Sequence, residues 1–148
     1  MMKSNKRYNF QRDYRGHGSS NTFGSLCSGK DEVWKPMMSK NPDYNFDLPY
    51  WISNKGSVYS SVCGCILKAG QDKAGSYGFV YLKNQGKEKK YYIHRLVAFF
   101  FCDNPEGKPD VNHMDGNKMN NNSNNLEWVT QKENVEHYHR LKNELKEI

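Results

Sequence analysis

Asn112-His113-Met114-Asp115-Gly116-Asn117-Lys118, Asn124-Asn125-Leu126-Glu127-Trp128-Val129-Thr130 and Glu133-Asn134-Val135-Glu136-His137 gather, in one short stretch, side chains able to do acid–base and metal chemistry. They read as a β-hairpin that runs directly into a helix, with His and Asn at fixed positions around the join. An imidazole near the end of a strand can take a proton from water at neutral pH. Set against two side chains whose oxygens can hold a cation, it is the minimum kit for hydrolysing a phosphodiester.

The elements that must hold these groups are readable from pattern. Pro109 to Met114 is expected as the first strand and Leu126 to Val129 as the second, joined by a polar loop whose run Asn120-Asn121-Asn122-Ser123-Asn124-Asn125 favours Asx turns. Thr130-Gln131-Lys132-Glu133 is a capping box, which places a helix N-terminus at Thr130 and runs the helix through Tyr138 and Leu141 to about Leu145. Asn134 then ends the first helical turn and His137 shares its face. A helix crossing behind the hairpin brings Asn134 opposite Asn112 and His113. Asn125, at the start of the second strand, can brace the loop or the imidazole. Asp115 reads as a turn residue. His94-Arg95-Leu96-Val97-Ala98-Phe99-Phe100-Phe101-Cys102 is too apolar for a loop and is expected as a short buried helix, stopped by Asp103-Asn104-Pro105.

Upstream, residues 30–92 carry a β pattern, with a turn at Asn54-Lys55-Gly56 and a hairpin loop at Asn84-Gln85-Gly86-Lys87. Strands are expected at Tyr50 to Ser53, Ser57 to Ser60, Cys65 to Lys68, Tyr77 to Lys83 and Lys89 to Ile93, in one small antiparallel sheet of four or five strands. Tyr77, Tyr81, Tyr91 and Tyr92 could stack on bases, but aromatic residues favour strands, and core packing is the simpler reading. Residues 1–29 have no period and read as a flexible basic arm whose Lys3, Lys6, Arg7 and Arg12 either touch a polyanion or are solvated. The division is therefore an arm over 1–29, a β-rich recognition-like domain over 30–92 and a finger over 93–148.

Bulk properties narrow the partners. The 148 residues carry a formal charge of +6, with a pI near 9.1 and a mean hydropathy of −0.98. Such a chain is polar with a small core and suits a polyanion, though charge alone does not separate nucleic acid from an anionic membrane surface. No run approaches the ~18 apolar residues that span a bilayer, so no membrane partner is expected. The N-terminus lacks the apolar stretch of a secretory signal, and a cytoplasmic setting is the expectation. Cys27, Cys63, Cys65 and Cys102 lack the paired spacing of a zinc site, and in a reducing compartment they are expected as free thiols.

The stretch from His94-Arg95-Leu96-Val97-Ala98 through Val111-Asn112-His113-Met114-Asp115-Gly116-Asn117-Lys118 and Asn125-Leu126-Glu127-Trp128-Val129-Thr130 to His137 resembles the HNH family of endonucleases. It is most similar to the phage and intron-borne homing type, built on a ββα-metal (His-metal) finger. The segment Glu32-Val33-Trp34-Lys35-Pro36 to Tyr50-Trp51-Ile52-Ser53-Asn54-Lys55-Gly56-Ser57-Val58-Tyr59-Ser60 is similar, more loosely, to the small domain that often precedes this motif. The resemblance implies an α+β fold, with an antiparallel β-rich domain followed by the ββα finger, and a metal-dependent DNA endonuclease that nicks or cuts duplex DNA.

In that reading His113 is the general base and Asn125 orients it. Asn112 and Asn134 give oxygens to one Mg²⁺ or Mn²⁺ ion, and His137 orients or protonates near the leaving group. Arg95, Lys118, Lys132 and Arg140 contact the DNA backbone. One site per chain favours nicking unless two copies assemble on DNA, and nothing in the sequence indicates an oligomer. The sequence departs from the family in one place. The residue before the general base is commonly Asp or His, and here it is Asn112, a weaker ligand. A catalytically weak or inactive DNA-binding accessory protein is thus the rival reading, and an RNA-binding module on the Tyr-rich strands is a second.

Overall fold

Alternation builds the longest strand. Along Gly78–Asn84 every second residue turns inward, burying Val80, Leu82 and Asn84 while Tyr81 and Lys83 face solvent. The structure is a computed structural model that describes residues 31–73 and 75–147. The arm, with Lys3, Lys6, Arg7, Arg12 and Cys27, lies outside the described residues. Val33–Ile148 forms one unit.

Strands β1 (Trp34–Pro36), β2 (Tyr50–Ser53), β3 (Val58–Ser60) and β4 (Cys65–Ile66) make an antiparallel meander in chain order. A second antiparallel sheet holds β5 (Gly70–Gln71), β6 (Gly78–Asn84) and β7 (Lys87–Tyr92). The upstream segment therefore has two sheets among the described residues, where the sequence led to one. The extra strands, β1 and β5, are three and two residues long, and so short a piece carries no period-2 signal. The expected turns are present. Asn84 pairs with Lys87 across Gln85-Gly86, and the backbone N–H groups of both turn residues donate to the Asp47 carboxylate at 3.1 and 2.7 Å.

Helix α1 (Ile93–Phe101) follows β7 without a break. Nine residues with no side-chain N-cap are too few to hold a helix alone, so packing must stabilise it. Leu96, Val97 and Ala98 are fully buried, and α1 touches strands of all three sheets. Its last carbonyls are satisfied from outside. Trp128 Nε1 donates to Ala98 and Cys102, both at 3.3 Å, and Lys35 Nζ donates to Phe100 at 2.9 Å. The final hairpin, β8 (Asp110–His113) and β9 (Leu126–Val129), leads into α2 (Gln131–Glu144). The capping box at Thr130 and Glu133 is formed in both directions, at 3.3 and 2.7 Å.

One hydrophobic cluster runs through the unit. Met37, Tyr50, Ile52 and Val58 from the meander meet Val80 and Leu82, then Leu96, Val97, Val111 and Leu126. The β-rich segment and the finger share this core, so the hairpin is seated on everything before it.

The cysteine expectation needs correction. Cys63 and Cys65 are joined by a disulfide, with their Cα atoms 5.3 Å apart. The chain reverses between β3 and β4, and Gly64 N donates to Ser60 O at 2.9 Å, so the two cysteines do not lie along one strand. Cys102 is free, and burial pushes its thiol pKa up.

Candidate active site

The register of the hairpin decides what each side chain meets. Asn112 lies opposite Glu127 and His113 opposite Leu126. Successive strand residues leave opposite faces, so the two have different neighbours. Asn112 donates Nδ2–H to Glu127 Oε1 at 2.9 Å. His113, 4% exposed, turns into a cluster of rings. Its ring centre is 5.8 Å from Tyr77 and 5.2 Å from His94, while Tyr77 and His94 are 4.5 Å apart. Lys118 Nζ lies 4.9 Å from the Tyr77 ring centre.

His113 Nε2 is 3.0 Å from Asn121 Oδ1. An amide oxygen only accepts, so Nε2 carries the proton and Nδ1 keeps the lone pair. Burial lowers the His113 pKa and Lys118 adds to that, while the Asn121 hydrogen bond and the Asp115 charge oppose them. The imidazole is therefore neutral at physiological pH and can accept a proton. His94 is pushed further, down to about 3, by burial first and then by the nearby His113 and Arg95. Its Nδ1 is buried without a hydrogen-bond partner.

The Asn-rich loop is held from within and from below. Asn125 Nδ2 donates to Asp115 Oδ1 at 2.8 Å and to Asn120 O at 3.0 Å, and its Oδ1 accepts from Asp115 N at 3.0 Å. Asn120 Nδ2 and Asn117 N also donate to the Asp115 carboxylate. Desolvation raises the Asp115 pKa, but these hydrogen bonds outweigh it and hold the carboxyl below its usual range. From below, the upstream turn supports the loop, with Ser123 N donating to Asn54 O at 2.8 Å. Gly56 in that turn has φ +93, and a Cβ there would stand 2.8 Å from the Asn121 Cβ. Only glycine lets the turn approach this closely.

Helix α2 packs on β8 and β9. His137 Nε2 donates to Met114 O at 3.1 Å, so the face that also carries Asn134 is turned to the end of β8. A Cβ on Gly116 would meet Leu141 Cδ1 at 2.8 Å, which marks how closely the helix presses on the loop. Of the expected backbone-contacting cations, Lys118, Lys132 and Arg140 are exposed. Arg95 is committed elsewhere, pairing with Asp110 at 3.0 Å and donating to Pro109 O at 3.0 Å, which ties α1 to the start of β8.

Sequence reading thus found the hairpin, the helix and its cap. It missed Asn121, Glu127, Tyr77 and His94 as neighbours of the candidate site residues. Glu127 was recoverable, because a hairpin pairing His113 with Leu126 must pair Asn112 with Glu127. Nothing in a run of asparagines singles out Asn121.

Residues 91–136 match the family model for HNH endonuclease. Over 87 residues the chain is 51% identical to the DNA endonuclease I-HmuI of Bacillus phage SP01, covering 59% of this chain and 49% of that one. The matched stretch of the chain is therefore HNH-endonuclease-like. The chain is also 44% identical, over 115 residues, to an uncharacterised HNH endonuclease of Acanthamoeba polyphaga mimivirus, covering 74% of this chain and 27% of that protein. A solved structure of the HNH homing endonuclease I-HmuI, described as showing DNA binding and cleavage, superposes with a TM-score of 0.63 at 42% identity, over 74% of this chain and 59% of that one. The chain spans about half the length of one of these curated relatives and about a quarter of the other.

Proposed function

We propose that this chain is a divalent-metal-dependent HNH endonuclease of the homing type that hydrolyses phosphodiester bonds in duplex DNA. The observation that carries the reading is the state of His113: buried at the end of β8, neutral, with Nε2–H held by Asn121 and Nδ1 left with a lone pair. That nitrogen is the base that takes the proton from the attacking water. The relatives' names point the same way.

Asn112 and Asn134 would hold the cation through their amide oxygens. The donor chemistry fits a hard ion, because each side chain offers a neutral oxygen. Oxygen ligands of this kind suit Mg²⁺ or Mn²⁺ rather than zinc. When bound, the cation neutralises charge on the phosphate and on the departing 3′-oxygen. Asn125 acts at one remove, since its side chain locks the loop through Asp115 and Asn120 rather than touching the imidazole. His137 braces α2 against the end of β8. Lys118, Lys132 and Arg140 attract the phosphate backbone, and Arg95 reaches it with the N–H groups not given to Asp110 and Pro109.

The test is nicking of supercoiled plasmid with Mg²⁺ or Mn²⁺ by wild type and His113→Ala. Loss of the base should cost about 10²–10⁴-fold in rate, and chelation with EDTA should abolish cutting. Equal and undetectable cleavage by both proteins would leave the DNA-binding accessory reading, which the amide at Asn112 favours.

A further inference from the structure

Asn112 and Glu127 face each other across the β8–β9 hairpin, with Nδ2–H donated to Oε1 at 2.9 Å. An asparagine amide has two ends of nearly equal size, and only the oxygen can hold a hard cation. Half a turn about the last side-chain bond would present –NH₂ to the ion and lose the ligand. An ionised carboxylate only accepts hydrogen bonds. Glu127 therefore takes the –NH₂ end of Asn112, and Oδ1 is the end left free. No described residue donates to that oxygen.

Charge works in the same direction. A neutral amide lacks the attraction that a carboxylate ligand would have for a divalent cation. A charge-assisted N–H···O⁻ bond polarises the amide and draws electron density onto its oxygen. The pair as a whole also places one negative charge beside the ion. Between them, Asn112 and Glu127 supply the hard oxygen and the charge that one aspartate would supply alone.

We propose that Glu127 is a positioning residue of the cation site, fixing the amide of Asn112 with its oxygen toward the metal and supplying the charge that Asn112 lacks. The inference rests on the reading of Asn112 as a ligand. A carboxylate that merely stabilises the hairpin by cross-strand pairing would affect melting and leave metal affinity untouched.

The experiment is Mn²⁺ binding, followed by electron paramagnetic resonance and calorimetry on the described chain, with thermal melting alongside. Glu127→Gln keeps the shape and removes the charge. It should raise the Mn²⁺ Kd about tenfold, the lower end of what outer partners of metal ligands contribute, and leave melting unchanged. The swapped pair Asn112→Asp with Glu127→Gln moves the charge onto the ligand, keeps the cross-strand hydrogen bond, and should restore wild-type affinity. Wild-type Mn²⁺ affinity in Glu127→Gln, no recovery in the swapped pair, or no Mn²⁺ uptake by wild type at millimolar concentration would each overturn the proposal. Wild type that shows the Glu127 dependence yet nicks no DNA would overturn the nuclease reading and leave this one standing. Wild type that nicks DNA while Glu127→Gln binds Mn²⁺ normally would do the reverse.

Discussion

Which nitrogen of His113 is free depends on Asn121. With Nε2–H donated to the Asn121 amide oxygen, the lone pair is confined to Nδ1. Removing that acceptor allows the other tautomer, which turns a proton toward the water that must lose one. Asn121→Leu is therefore expected to lower kcat by about 10-fold or more, a part of the 10²–10⁴-fold that general-base catalysis contributes, with KM little changed. Single-turnover nicking at saturating DNA measures it, and a change confined to KM would contradict it. The sequence made His113 legible because its spacing to Asn134 and to the helix cap is distinctive. Asn121 was not, because its part depends on how a loop of near-identical residues folds back, and that is set by Asp115, Asn125 and the turn beneath.

The elements show how the hairpin acquires a fixed loop. The turn between β2 and β3 lies under it, with Asn54 O accepting from Ser123 N at 2.8 Å and Gly56 packed against Asn121. A methyl group at Gly56 meets Asn121 Cβ and also Ile93 Cγ2, in a backbone conformation that L residues rarely adopt. Gly56→Ala should cost about 1–3 kcal/mol, the range for overpacking, and should slow nicking by displacing Asn121. Urea unfolding and the cleavage assay read the two effects separately, and a fully stable, fully active variant would contradict this coupling. Strands β6 to β9 and both helices were readable from alternation, apolar weight and the capping box. Strands β1 and β5 were not, since they exist only by pairing with neighbours and are too short for a local signal. The Cys63–Cys65 link escaped because the chain reverses there, where a continuous strand was expected.

At the scale of the molecule, a single core joins the meander, α1 and the hairpin, so the site can be no more stable than the whole. The buried His94 gives that stability a pH dependence. Its folded pKa is depressed to about 3 from an ordinary 6.5. The unfolded chain therefore binds the extra proton between those values, and stability falls as pH drops through that window. From pH 7 to pH 5 the loss attributable to this group is about 2 kcal/mol, at about 1.4 kcal/mol per unit once below the unfolded value. His94→Phe should flatten the slope in urea midpoints measured at the two pH values, and parallel slopes for variant and wild type would contradict the assignment. Basic charge and low hydropathy indicated a polyanionic partner, but they did not show that residues 33–92 share a core with the finger. Burial periodicity is local, whereas that shared core comes from contacts far apart in the chain.

The whole account depends on an imidazole from the hairpin and an amide oxygen from α2 meeting at one ion. Paramagnetic broadening by Mn²⁺ in an isotope-labelled sample reads this without any substrate. The His113 ring and the Asn134 side-chain amide should broaden together at the same low Mn²⁺ concentration, and Asn134→Ala should remove the effect at His113. Broadening at Asn134 with an undisturbed His113, or at neither, would contradict it.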